Sequence, residues 1–250
     1  MILPARTGTS IPGAESEQET ARWVRRMFGS VARRYDFLNH LLSLNIDRLW
    51  RRRAVHLVAP VMRRPQPRVL DLCCGTGDLT LALQHEFSTS IVGCDFCHPM
   101  LLLARRKAEK QRVMPSLLEA DALSLPIPDG SIDLVTTAFG FRNLANYEKG
   151  LIEILRVLRP SGMLLILEFS RPPNRLASIA YNCYSSRILP LVGGIISGSS
   201  AAYSYLPKSV QRFPSAEELA QAMEKSGFVD VRFERMSWGI VALHLGAKRG

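Results

Sequence analysis

The sequence predicts an α/β protein built on a doubly wound, mostly parallel sheet, and three observations carry that prediction. First, Val69-Leu70-Asp71-Leu72 is an apolar run of strand length that breaks into Cys73-Cys74-Gly75-Thr76-Gly77, and a helical pattern through Leu79, Leu81, Ala82 and Leu83 follows at once. Second, Ile91-Val92-Gly93-Cys94-Asp95 reads as the next strand and ends in a carboxylate, which sits about 20 residues past the glycine turn. Third, strand and helix patterns go on alternating as far as Phe169. That alternation implies parallel strands joined by crossover helices.

The glycine turn carries most of the functional information. Gly75 and Gly77 let the backbone pass close beneath a ligand, and the unpaired amides of the following helix offer it donors. Position 80 is Thr rather than Gly, so the turn lacks part of a dinucleotide cradle. Asp95 is suited to accept hydrogen bonds from both ribose hydroxyls of a nucleoside. Asp71 lies inside a strand, where an unpaired carboxylate is costly. A ligand bearing positive charge would account for it.

Taken in order, Met1 to Glu19 is rich in Pro, Gly, Ser and Thr and reads as a mobile leader. A helical pattern runs from Thr20 to about Arg53, and residues 20–64 are expected to form a helical lid over the pocket. Inside it, Tyr35-Asp36-Phe37-Leu38-Asn39 reads either as a helix cap at Asp36 or Asn39, or as a ligand contact. A helix from Pro99 to Gln111 has proline early and lysine and arginine late, as the helix dipole favours. Next come a strand at Leu117 to Ala120 with Asp121-Ala122, and a strand at Ile132 to Thr137. The turn Ala138-Phe139-Gly140-Phe141-Arg142-Asn143 follows. A helix from Tyr147 then stops at Arg159-Pro160-Ser161-Gly162 before the strand Met163 to Phe169.

Residues 178–209 interrupt the alternation with Tyr181, Leu189, Ile195, Tyr203 and Tyr205, and read as an apolar helical insertion. Such an insertion could wall a greasy pocket, rest on a bilayer, or simply be core. Ser215 with Glu218 forms a capping box, and Val229–Met236 with Gly239–Leu245 reads as a closing antiparallel pair. Ligands of such sheets bind outside the carboxyl ends of the strands. One crevice would therefore gather the glycine turn, Asp95, Asp121 and the Phe139–Asn143 turn.

Composition narrows the class. With 47% hydrophobic and 22% charged residues, a chain of 250 residues suits one large domain with additions. It has neither an apolar run of membrane-spanning length nor a signal-peptide core, so a cytoplasmic location is expected. Five cysteines make no disulfide framework, and Cys94-Asp95-Phe96-Cys97 has no second pair to complete a zinc site. No metal is expected. The net charge of +10 is concentrated in arginines between Arg22 and Arg68, which fit either solvated helix faces or a patch for an anionic partner.

These residues together resemble a family. Asp71-Leu72-Cys73-Cys74-Gly75-Thr76-Gly77-Asp78, Asp95, Asp121-Ala122, Phe139-Gly140-Phe141-Arg142-Asn143, Arg156 to Gly162, Leu167-Glu168-Phe169-Ser170 and Val241 to Gly246 are similar to class I S-adenosylmethionine-dependent methyltransferases. More narrowly, the chain resembles the UbiE/MenG C-methyltransferases of ubiquinone and menaquinone biosynthesis, from about Phe28 to Lys248. Tyr35-Asp36-Phe37-Leu38-Asn39, the Phe-Gly-x-Arg-Asn turn and Tyr203-x-Tyr205-Leu206 are the specific signals.

The resemblance implies a Rossmann-like fold, S-adenosyl-L-methionine as cofactor and a prenylated quinol as substrate. It implies cofactor contacts from Thr76, Asp95, Asp121, Ala122 and Ala138, the last through backbone only because relatives often carry Ser there, and the reading of the strand and glycine turn adds Asp71, Gly75 and Gly77. Catalytic work would fall to Arg142, with Asn143 and Tyr35 orienting the ring. The expected reaction is methylation of demethylmenaquinol. Open alternatives are a benzoquinol of ubiquinone biosynthesis, an RNA methyltransferase, or a non-catalytic binding protein of the same fold. No nucleic acid is expected as partner, whereas peripheral membrane contact at the inner face and a homodimer are both compatible with the chain. The closing strand pair is expected at the sheet edge, and His244, in one of its strands, is expected to be structural.

Overall fold

The computed structural model describes residues 8, 9, 11, 15–174 and 200–250. Most of the expected insertion, from 178 to 199, lies outside the described residues. The chain opens with helices α1 (Glu17–Leu42) and α2 (Ile46–Met62), and the parallel unit follows: β1 (Val69–Leu72), α3 (Asp78–Phe87), β2 (Ile91–Asp95), α4 (His98–Lys110), β3 (Ser116–Glu119), β4 (Ile132–Ala138), α5 (Tyr147–Val157) and β5 (Leu158–Phe169). Helices α6 (Ser200–Arg212) and α7 (Ala216–Lys225) precede β6 (Phe228–Met236) and β7 (Val241–Lys248).

The seven strands make one sheet in the order β3-β2-β1-β4-β5-β7-β6. Strands β1 to β5 pair in parallel, while β7 runs antiparallel to both β5 and β6. Chain order reverses between β1 and β4, and a crevice forms at such a switch point.

Side-chain alternation explains why both faces are covered. On β5, Leu164 and Ile166 enter a core with Leu151, Ile154 and Val157 of α5 and Leu219 and Met223 of α7. Leu165 and Leu167 enter the opposite core, with Ala54 and Val58 of α2 and Leu79 and Leu83 of α3. All four of these β5 residues are fully buried, each contributing about 2 kcal/mol of transfer free energy.

The structure corrects several boundary expectations. Helix α1 runs unbroken through Tyr35–Asn39, so Asp36 caps no helix. Strand β5 begins directly after α5, at Leu158, with Arg159-Pro160-Ser161-Gly162 inside its span. The extra residues are absorbed by a register shift, since Ile132 pairs Leu158 while Leu134 pairs Met163. Strand β7, which holds His244, is interior, and β6 forms the edge. Within the expected leader, Thr9 is buried and its N–H donates to the Leu144 carbonyl at 2.8 Å. The capping box at Ser215 and Glu218 forms as read.

Candidate active site

A cleft opens at the carboxyl ends of β1, β2 and β4. Its floor is the bend after β1, where Cys73 and Gly75 both take positive φ, at 54° and 55°. A Cβ built on Gly75 would have no atom within 4 Å, so that residue borders open space. Gly140 is a glycine for a different reason: a Cβ there would lie 2.4 Å from the Cβ of Cys73, because the bends after β1 and β4 touch.

Asp95 closes one side. Its carboxylate accepts the N–H of Gly75 and of Cys97, each at 2.8 Å, so it braces the bend as well as facing the cleft. Burial raises its pKa to about 6 despite these backbone donors. Asp71 lies deeper, 1% exposed, and is satisfied by the hydroxyls of Thr80 at 2.5 Å and Thr136 at 2.8 Å. Thr136 is its register partner on β4. Burial likewise pushes Asp71 up to about 6. Two protein hydroxyls therefore answer part of the question that the buried carboxylate raised, and the residue still borders the cleft.

Thr76, Asp121, Ala122 and Ala138 also line the cleft, as do Tyr35 and Asn143. Gly77 does not: it sits at the N-terminus of α3, φ 83°, with the Cβ of Ala104 3.3 Å from where its own would be. Arg142 does not either. It is 4% exposed, behind the wall formed by Phe139, Gly140 and Asn143, and its guanidinium donates to the Glu168 carboxylate at 2.8 Å and to the Phe139 carbonyl. The Glu168 side chain also accepts the N–H of Arg142 and of Phe169, and the guanidinium lies 5.2 Å from the Phe169 ring centre. Burial opposes the charge on Arg142, but Glu168 outweighs it and raises the pKa. Glu168 is the site residue that sequence reasoning missed. Its signals were a carboxylate in an otherwise apolar strand and its place in the Leu167-Glu168-Phe169-Ser170 motif, neither of which assigned it a partner.

Helix α1 lies across the cleft through Ala21, Phe28 and Tyr35. The Thr76 hydroxyl donates to Asp36 at 2.5 Å, and Lys107 of α4 reaches Asp36 at 2.7 Å and Asp78 at 2.5 Å. From the far side, the Tyr205 hydroxyl donates to the Asn143 side chain at 3.0 Å and meets Thr9 at 3.2 Å.

With this geometry, comparison with known proteins is decisive. The model of the ubiE/COQ5 methyltransferase family matches residues 14–248. The chain belongs to that family.

Two relatives of this methyltransferase are similar along nearly their whole length. The demethylmenaquinone methyltransferase of Thermus thermophilus is 50% identical over 221 residues, covering 88% of this chain and 99% of the relative. That of Deinococcus radiodurans is 43% identical over 244 residues, covering 97% and 100%. Among solved structures, the [4+2]-cyclase SpnF superposes with a TM-score of 0.65 at 18% identity, covering 98% of this chain and 99% of that one. At that identity the likeness concerns the fold.

The remaining sequence candidates of the methyltransferase find ordinary roles. Cys73, Cys74, Cys94 and Cys97 are free thiols, and burial raises the pKa of all four, to about 12 for Cys94 and about 11 for Cys97. His244 is buried and bonded to the Ala216 carbonyl at 2.8 Å, as a structural histidine would be. Among the described residues, His40, Asp47 and Asp78 bring ligand atoms within 4.8 Å of one another. Arg51 already contacts both carboxylates and Lys107 contacts Asp78, so the trio is neutralised by protein cations.

Proposed function

We propose that this methyltransferase transfers the methyl group of S-adenosyl-L-methionine to a ring carbon of demethylmenaquinol. Both relatives described above carry that activity in their names. The observation that carries the reading is the open space over Gly75 beside the Asp95 carboxylate, in the cleft where the bends after β1 and β4 meet. The residues fit the cofactor. Asp95 offers its remaining lone pairs to the ribose hydroxyls, Asp121 and Ala122 border the adenine, and Asp71 counters positive charge from below. Bound there, S-adenosylmethionine supplies a methyl group activated by a sulfonium sulfur.

The protein's part is to favour the ring's anionic form and aim it. A phenolic carbon becomes nucleophilic when its neighbouring hydroxyl loses a proton, and the ring hydrogen at that carbon leaves after the new C–C bond forms. Tyr35 and Asn143, on the cleft wall, orient the ring. Arg142 acts from behind that wall, where its ion pair with Glu168 fixes the turn that carries Asn143, and its charge favours the quinolate oxygen only as part of that pair. Arginine keeps its proton, so it does not serve as the base. Helix α1 acts as the lid over the bound ring, whereas α2, expected to share that role, packs its Ala54 and Val58 into the core beneath the sheet. A prenyl tail partitions into lipid, so the enzyme works as a peripheral protein at the inner face of the membrane. No described helix is long and apolar enough to cross it.

The test is transfer of label. Pure protein incubated with methyl-tritiated cofactor and demethylmenaquinol places tritium in extractable menaquinol. Label in added RNA, or none in the quinol, overturns the proposal.

A further inference from the structure

Of the seven large apolar side chains exposed among the described residues, four come from two neighbouring tips: Leu44 at 74%, Ile46 at 37%, Leu49 at 60% and Trp238 at 85% exposure. They come from two tips far apart in sequence, the α1–α2 turn with the start of α2, and the turn between β6 and β7. The tips adjoin, because the indole N–H of Trp50 donates to the Ser237 hydroxyl at 2.9 Å. Next to this bond, Arg53 pairs with Glu234 at 2.7 Å.

Both tips lie at the end of the sheet where the cleft opens. Phe169, the last residue of β5, pairs with Val241 at the start of β7, which places the Ser237–Gly239 turn beside the carboxyl end of β5. Trp50 packs its ring 5.8 Å from Phe139, which lines the cleft, and 6.3 Å from Phe169.

Backbone conformation reinforces the point. Leu44, Asn45, Ser237 and Trp238 all take positive φ, between 48° and 61°, which non-glycine residues rarely adopt. Such conformations persist where surrounding structure enforces them, and they gather at functional sites. Two of the four, Leu44 and Trp238, carry the most exposed apolar side chains of the patch. On α2, helical periodicity puts Arg52 and Arg53 on either side of Leu49, with Arg48 one turn before Arg52. Arg48 and Arg52 are exposed. An apolar prow rimmed by arginine, with tryptophan at its tip, suits an anionic lipid interface: apolar side chains enter the acyl boundary while guanidinium groups meet the head groups.

We propose that Leu44, Ile46, Leu49 and Trp238, with Arg48 and Arg52, form a docking surface for an anionic bilayer that brings the mouth of the cleft to the membrane. This deepens the reading of a lipid-dissolved substrate, and it can fail separately from that reading.

The experiment is flotation of the full chain with vesicles of phosphatidylglycerol and phosphatidylcholine, alongside phosphatidylcholine alone. The protein should float with the anionic vesicles. Arg48→Gln with Arg52→Gln should weaken that binding by about 25-fold, at roughly fivefold per cation. Leu49→Glu with Trp238→Glu should abolish it while leaving the melting temperature unchanged. Lipids brominated on their acyl chains should quench the wild-type protein more than Trp238→Phe.

Equal flotation of both double variants with wild type, or equal quenching with and without Trp238, overturns the proposal. So does a wild-type dimer that Trp238→Glu splits while vesicles stay unbound, since the patch would then cover a second copy. With a short-tailed, water-soluble demethylmenaquinol, the Leu49→Glu, Trp238→Glu variant should turn over at the wild-type rate and slow only with substrate embedded in vesicles. If wild type fails on the short-tailed quinol, the catalytic reading falls while flotation still decides the surface.

Discussion

Two glycines that look alike in the sequence do different work, and alanine separates them. Gly140→Ala forces a Cβ to 2.4 Å from the Cβ of Cys73, so the bends after β1 and β4 must part. It should cost several kcal/mol, as overpacking at a tight contact does, and show as a melting temperature lower by about 10 °C or more. Gly75→Ala meets no atom within 4 Å, and its cost is the positive φ alone, about 1 kcal/mol. That variant should fold normally and lose cofactor affinity in calorimetry, because the new methyl group projects into the space proposed for the ligand. The same residue-scale argument fixes a pH dependence. Asp95 and Asp71 are both raised to about 6 by burial, and the ionised forms are the better partners for ribose hydroxyls and a cation. Cofactor affinity should therefore rise as pH climbs through about 6 and level off above it. Titration at pH 5 should give a Kd roughly tenfold or more weaker than at pH 7.5.

At the scale of elements, the turn after β4 and the end of β5 are joined by the buried Arg142–Glu168 pair. Removing one partner strands a charge, so Glu168→Leu should destabilise by about 3–5 kcal/mol. Replacing both, Arg142→Met with Glu168→Leu, should recover most of that stability in denaturant titration and none of the turnover. Recovery of turnover in the double variant would exclude the charge on Arg142 from the chemistry. This pair also marks where sequence reading ends. The bend at Gly75 and its carboxylate at Asp95 are legible because short-range chemistry writes them: an apolar run, two glycines, an acid at the next strand end. The pairing of residues 142 and 168, the bond from Thr76 back to Asp36, and the meeting of Thr9 with Tyr205 depend on how distant elements stack. No local pattern records that stacking. Asp36 read as a cap for the same reason, since its partners, Thr76 and Lys107, lie 40 and 71 residues away.

For the whole molecule, acid stability is a contest between groups of opposite sign. His244 is pushed down to about 4 by burial from a model-compound value of 6.5. The unfolded chain takes that proton first, so His244 removes stability as pH falls from 6.5 to 4, by about 3 kcal/mol at the lower limit. Asp71 and Asp95 are raised from 3.8 to about 6, so the folded chain holds their protons first, and they add stability over much of the same fall. His244→Gln, which keeps a donor for the Ala216 carbonyl, should unmask the carboxylates. The stability difference between variant and wild type should grow in the variant's favour from pH 6.5 to 4, as read by thermal melts. A constant difference would show that His244 is protonated in the fold. The doubly wound order and closing antiparallel pair were legible at this scale because alternation and turn chemistry set them. The interior position of β7 was not, because strand order across a sheet depends on which edges remain open when the last strands arrive.

The hydroxyl of Thr76 belongs both to the bend beneath the cleft and to the contact that fastens α1 across it. A ligand resting on the bend would lie against that fastening, so the floor of the cleft and the cover above it share one oxygen.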